Sequence, residues 1–122
     1  MTEPQPAQPT GTSYVSPIDT GIDELSKRRT QLNPADTDAA KAVTATVDLL
    51  DAGVARAAHV DPGSSDVVVD ERAKRAILLS FKLLALTESA AGEFRYHDRM
   101  PLKRRFDGVR VVPGAIARWG SY

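Results

Sequence analysis

The stretch "RAKRAILLSFKLL", residues 72–84, decides how this chain is read. It is apolar enough for a core, yet it carries Arg72, Lys74, Arg75 and Lys82. Two readings compete: the cations grip an anionic partner, or they form the wet face of an amphipathic helix. The spacing predicts a helix over about 70–86, opened by Asp70 or its neighbour. Its apolar stripe is Ala73, Ile77, Phe81 and Leu84, with Leu78 beside it. The four cations lie mostly away from that stripe, so amphipathicity accounts for most of the pattern without a ligand.

Upstream, "LNPADTDAAKAVTATVDLLDAG" is the clearest helix. Asn33 is placed to cap it, Pro34 suits the first helical position, and Asp36 sits near the positive dipole end. Ala39, Val43, Val47 and Leu50 make its buried stripe, and Gly53 is placed for a left-handed cap. A shorter helix fits residues 21–31. Residues 1–18 hold Pro4, Pro6, Pro9 and Pro17 among Thr, Ser, Gln and Glu. Such a segment buries too little apolar surface to offset its ordering entropy, so it reads as a disordered tail.

Between the two long helices, "VARAAHV" and "SDVVV" flank "DPGSS", which reads as a short hairpin. Beyond the basic helix, "ESAAGEFRYHDRMPLKRRFDG" loses periodicity and reads as a basic loop region. "VRVVPGAIARWGSY" then opens with a strand, "VRVV", stopped by Pro113. Gly114 and Gly120 are one six-residue period apart, as are Ile116 and Tyr122, the spacing of a hexapeptide β-helix.

The bulk numbers narrow the function. The chain has 122 residues, 42% of them hydrophobic, enough for one domain. Lys plus Arg and Asp plus Glu both total 16, so the net charge is zero, unlike most nucleic-acid binders. Without cysteine there is no disulfide and no thiolate chemistry. His59 and His97 are too few and too far apart for a zinc site. The N-terminus lacks a secretory pattern, and no apolar run approaches the ~20 residues that span a bilayer. The expectation is a cytoplasmic α+β protein without metal or membrane anchor.

"RAKRAILLSFKL", "FRYHDRMPLKR" and "VRVVPGAIARWGSY" together resemble the start of bacterial tetrahydrodipicolinate N-succinyltransferases, in the same order. That family shows a basic helix ending in a Leu-Leu-Ser-Phe-Arg-like run. An Arg-Tyr-x-Asp-x-x-Pro-x-Lys segment follows, here Arg95 to Lys103, and then a Phe-Arg-Val-Val-Pro strand entering a β-helix. "LLDAGVARAAHV" is similar to the family's helix end and first strand. The resemblance covers about residues 21–122. Departures are Gly108-Val109 where Gly-Phe is common, and Leu102 for Met.

The resemblance implies an N-terminal α+β domain over 19–108. Residues 109–122 would begin a left-handed parallel β-helix whose further coils are absent from this chain. It looks like a fragment or one half of a split protein, inactive alone, with the acyl-CoA groove and the catalytic groups elsewhere. The implied reaction moves succinyl from succinyl-CoA to the amino group of tetrahydrodipicolinate, on the route to diaminopimelate and lysine, in a homotrimer. No permanently bound cofactor is implied, and the residues that choose succinyl over acetyl lie downstream. The family's substrate-contacting arginine maps onto Arg110; read from pattern alone, Arg110 is a solvent-facing strand residue. A guanidinium matches a substrate carboxylate bidentately.

Other residues carry blander expectations. His97 reads as a surface residue rather than a general base, and His59 as a strand-end residue. Arg95 and Asp98 read as loop-fixing groups. Lys103, Arg104 and Arg105 either attract an anionic cofactor such as CoA or merely solvate a loop. The alternative function is a non-enzymatic nucleic-acid-binding or assembly module using the basic 95–110 stretch, with Phe94, Tyr96 and Phe106 stacking bases.

Overall fold

The computed structural model describes residues 13–122. The part of the expected tail that falls on residues 1–12 lies outside them. Three helices and two antiparallel hairpins follow in the order α1 (Gly21–Lys27), α2 (Thr37–Asp51), β1 (Ala58–Val60), β2 (Val67–Val69), α3 (Glu71–Leu83), β3 (Thr87–Ala91) and β4 (Phe94–Asp98). A single 3-10 turn, Arg29–Gln31, follows α1. The expected α+β class holds.

α2 buries Ala39, Val43, Val47 and Leu50, the stripe its spacing predicts. Its start is a correction: the helix begins at Thr37, not Pro34. Asn33 is engaged in a local turn, where its Oδ1 accepts from Ala35 N at 2.8 Å. Asp36 Oδ2 accepts from Asn33 N at 2.7 Å. Asn and Asp side chains satisfy nearby backbone in this way and hold the chain out of the helix. Gly53 has φ +72°, as a left-handed cap requires.

α3 opens as expected, with Asp70 Oδ1 accepting from Arg72 N and Ala73 N at 3.0 and 3.2 Å. Two features differ from the reading of the sequence. The helix ends at Leu83, before 86, and Leu84 is extended, with its carbonyl held by Arg99 Nη1 at 2.6 Å. The buried face is Ala73, Ala76, Leu79, Ser80 and Leu83, while Ile77 and Leu84 are half-buried. Phe81 and Leu78, expected in the stripe or beside it, remain 43% and 58% exposed. The face is rotated by roughly a quarter turn at ~100° per residue. Small Ala73, Ala76 and Ser80 let the neighbouring helices approach closely, which bulkier Ile77 and Phe81 would not.

The core lies between the three helices. Ile22 and Leu25 of α1, Leu32, and Ile18 ahead of α1 close it. Ile18 falls within the segment read as a tail, and it is buried.

β1 and β2 pair antiparallel with His59 opposite Val68, as the Pro62-Gly63 loop predicts. Asp61 organises that loop, its carboxylate accepting from Ser64 N, Ser64 Oγ and Gly63 N. The second hairpin is a correction. Residues 88–98, read as loop, form β3 and β4 together with Thr87, with Thr87 opposite Asp98 and Ala91 opposite Phe94. Gly92, at φ +62°, leads the two-residue connection Gly92-Glu93. All of β3 is exposed, so no apolar alternation marks it.

The expected strand over 109–112 is also corrected: Val109 to Val112 form none, having no partner strand among the described residues. Two turns flank them, closed by Val109 N to Phe106 O at 3.2 Å and Ala115 N to Val112 O at 3.1 Å.

Candidate functional site

The ends of two of the sequence motifs, Pro101 to Lys103 and Ala117 to Gly120, meet at the C-terminal end of α2. After β4 the chain crosses α2, runs out through Arg104 to Ile116, and returns. The outgoing and returning segments form a narrow neck. Lys103 N donates to Ala117 O at 3.1 Å and Trp119 N to Pro101 O at 2.9 Å. Leu102 and Arg118 form an antiparallel bridge between them.

Two aspartates of α2 hold this neck. Asp51 Oδ1 accepts from Lys103 Nζ and from Gly120 N, each at 2.9 Å. Lys103 Nζ also donates to the Asp51 carbonyl at 3.0 Å. Asp48 Oδ1 accepts from Trp119 Nε1 at 2.8 Å. Burial disfavours the charged form of Asp51, but the hydrogen bonds from Lys103 and Gly120 outweigh it and hold its pKa below the ordinary carboxylate value. Backbone shape completes the fit. A Cβ on Gly120 would lie 2.9 Å from Val47 Cγ1, and one on Gly53 would lie 2.5 Å from the Tyr122 ring.

The predicted residues fall in different places. Arg110 is exposed, between the two turns, with no hydrogen bond or ion pair among the described residues. Asp98 is a fixing group, as expected: it accepts from Arg99 N at 2.8 Å and pairs with Arg118. The Arg99 amide, with Arg118, draws its pKa down against a smaller burial penalty. Arg95, read as a fixing group, is an exposed residue of β4 opposite Ala90 of β3 and makes no such bond among the described residues. His97 is an exposed β4 residue opposite Glu88. His59 lies within β1 rather than at a bare strand end, its ring 4.8 Å from that of Tyr14.

The basic bias of 95–110 is partly neutralised within the fold. Lys103 pairs with Asp51, Arg105 pairs with Asp107 at 3.1 Å, and Arg99 holds the Leu84 carbonyl. Phe94 and Tyr96 share one face of the second hairpin, whereas Phe106 lines a cleft beside the neck. That cleft, of about 730 Å³, has Val109, Ile116 and Tyr122 as apolar walls and Lys103 and Arg105 at its edge. No group of three His, Cys, Asp or Glu among the described residues is placed to hold a metal ion. No helix among them is long and apolar enough to cross a membrane.

Reading the sequence missed Asp48, Asp51 and Trp119, because nothing near "DLLDAG" says that its acids meet residues some 50–70 positions later. It also missed Asp23. This residue of α1 receives Arg72 through Nε at 3.1 Å and Nη2 at 2.9 Å, and Arg75 through Nη1 at 2.8 Å. Two of the four cations of α3 thus tie it to α1, and Lys74 and Lys82 are solvated.

Fold and neck together define a small α+β domain that carries Arg110, exposed and without a partner among the described residues, on a closed loop. Residues 17–83 match the family described as tetrahydrodipicolinate N-succinyltransferase N-terminal. The 2,3,4,5-tetrahydropyridine-2,6-dicarboxylate N-succinyltransferase of Alkalilimnicola ehrlichii is 40% identical over 111 residues, covering 83% of this chain and 40% of that protein. The proteins of the same name from Aeromonas salmonicida and Yersinia pestis are 39% and 35% identical over the same coverage. The chain belongs to the tetrahydrodipicolinate N-succinyltransferase family. It spans 40% of the length of these relatives.

Proposed function

We propose that this chain is the acceptor-side part of an N-succinyltransferase that transfers succinyl from succinyl-CoA to tetrahydrodipicolinate, in diaminopimelate and lysine biosynthesis. Family membership through residues 17–83 carries the reading. In it, residues 19–108 are the N-terminal domain and 109–122 supply the first coil of a left-handed β-helix. The exposed Val109, Val112 and Ile116 would be covered by further coils. The assembly is a cytoplasmic homotrimer, without nucleic acid, membrane or a permanently bound cofactor.

Arg110 is the residue we assign to the acceptor. It is exposed and unpaired among the described residues, so its guanidinium is available to a substrate carboxylate. Holding that carboxylate orients the acceptor amine toward the thioester carbonyl. On this reading the catalytic groups and the acyl-CoA groove belong to the part of the enzyme beyond the 40% of a relative that this chain matches. The chain by itself is therefore inactive.

The test follows CoA release from succinyl-CoA with 2-aminopimelate as acceptor. The chain alone should give none, and joining it to the remaining part of the Alkalilimnicola ehrlichii relative should give turnover. A rate near ~10 per second from the chain alone would overturn the division of labour. In the joined protein, Arg110→Lys should cost roughly 1.5–3 kcal/mol in kcat/KM for the acceptor, because lysine keeps the charge and loses the fork. The acyl-donor KM should hold. Equal losses for both substrates would remove Arg110 from the acceptor site.

A further inference from the structure

We propose that Asp51 is a positioning residue for Arg110, acting as the clasp of the loop that carries it. The role of Arg110 rests on the reading above; the clasp itself does not. Lys103 precedes Arg110 and Gly120 follows it, and both meet one oxygen of Asp51 at 2.9 Å. A single carboxylate on a rigid helix thus joins the two ends of the loop.

Little else fixes that loop. Beyond the neck its backbone is organised by the turns at 106–109 and 112–115, where Gly108 and Gly114 take φ +72° and +87°. Arg110 lies between these turns, and no side chain or carbonyl among the described residues holds it. Its place is therefore set by where the loop starts and ends. The neck's main-chain bonds join the two ends to each other, and Asp51 fixes both to α2; a neck released from α2 would let Arg110 wander with it.

The clasp is built to persist. The side chains of Asp51 and Lys103 are 22% and 11% exposed, against 81% and 80% for Asp107 and Arg105 on the loop itself. Water and salt screen the sheltered pair less than the surface one. Gly120 delivers its N–H at φ +98° against Val47, a position where any side chain would collide. Asp48 adds a second hold through Trp119, one residue from Gly120.

The experiment uses the 122-residue chain with pyridine-2,6-dicarboxylate as probe, read by NMR at the Arg110 side-chain Nε–H and by amide hydrogen exchange. Wild type should bind the probe at millimolar concentrations. Asp51→Ala should speed exchange at Gly120 and Lys103 and weaken probe binding, each about tenfold. Asp51→Asn, which keeps an acceptor for Gly120 and loses the ion pair, should fall between. Should Asp51→Ala fail to fold, Lys103→Met opens the same clasp from the other side. Unchanged exchange in these variants overturns the clasp. Faster exchange with unchanged probe affinity overturns the positioning role and leaves Arg110 in place. If Arg110→Lys binds the probe as wild type does, or wild type does not bind, the acceptor reading of Arg110 falls and the positioning role falls with it. Exchange still judges the clasp.

Discussion

Arg72 of α3 grips one carboxylate oxygen of Asp23 through both Nε and Nη2, while Arg75, one turn on, holds the other oxygen. α1 has Ile22 and Leu25 buried, and this shared carboxylate adds a polar tie to α3. Removing Asp23 leaves two guanidinium groups facing each other. Asp23→Ala should therefore lower the urea midpoint more than Arg72→Ala, and Arg72→Ala more than Arg75→Lys, which keeps its charge. An unchanged m-value would show that the folded and unfolded states themselves are alike in the variants. A midpoint indifferent to Asp23→Ala would show that α1 is held by its apolar face alone.

Acid should weaken the fold in a defined direction. Asp23 is held below its ordinary pKa by hydrogen bonds first from Arg72 and then from Arg75. In Asp61 the Ser64 amide, then its hydroxyl, act the same way. Asp51 and Asp98 are lowered too. A carboxyl group with a lowered folded pKa binds fewer protons folded than unfolded. Its contribution is present above the unfolded value, ~3.9, and is lost as pH falls through the lower folded value. Urea midpoints should thus hold steady above about pH 5 and fall below about pH 4. Asp23→Asn should flatten part of that slope. Stability that rose on acidification would contradict the pairing.

Glycine positions separate backbone strain from collision. Gly53→Ala meets the Tyr122 ring as well as φ +72°, and should cost roughly 2–4 kcal/mol. Gly108→Ala has the same φ +72° and nothing within 4 Å, so it should cost only about 1–2 kcal/mol. Chemical denaturation of both variants compares them directly. Equal costs would mean that Tyr122 does not rest on Gly53.

The orientation of α3 is tested by neighbours in sequence. Leu79→Ala should cost roughly 2–5 kcal/mol, the range for a buried leucine. Leu78→Ala, on the opposite side of the helix, should stay within about 0.5 kcal/mol. The reverse order would restore the stripe that spacing alone suggests.

Much of the fold was legible because local rules and tertiary packing agree there. The α2 stripe, the Asp70 cap, the Gly53 cap and the first hairpin each rest on residues within a few positions of one another. The second hairpin was not legible. Thr87 to Ala91 lie on an exposed strand, so burial imposes no alternation on them, and only Gly92 marked the turn. The acceptor candidate Arg110 came from the order of the motifs, not from its surroundings. Residue type alone made it one solvent-facing arginine among several.

The sequence by itself determined that the helices form, the Asp70 and Gly53 caps and the buried stripe of α2, since those follow from backbone propensity and period. It also carried the family, through motifs kept in order. Only the tertiary structure decided which side of α3 faces inward, because that helix is apolar on more than one face and its neighbours make the choice. Only the tertiary structure brought Asp51 to Lys103 and Gly120, and Asp23 to Arg72 and Arg75. A charge has no period. Its partner is set by the path of the whole chain, and attraction between opposite charges selects among the packings that the apolar core already allows.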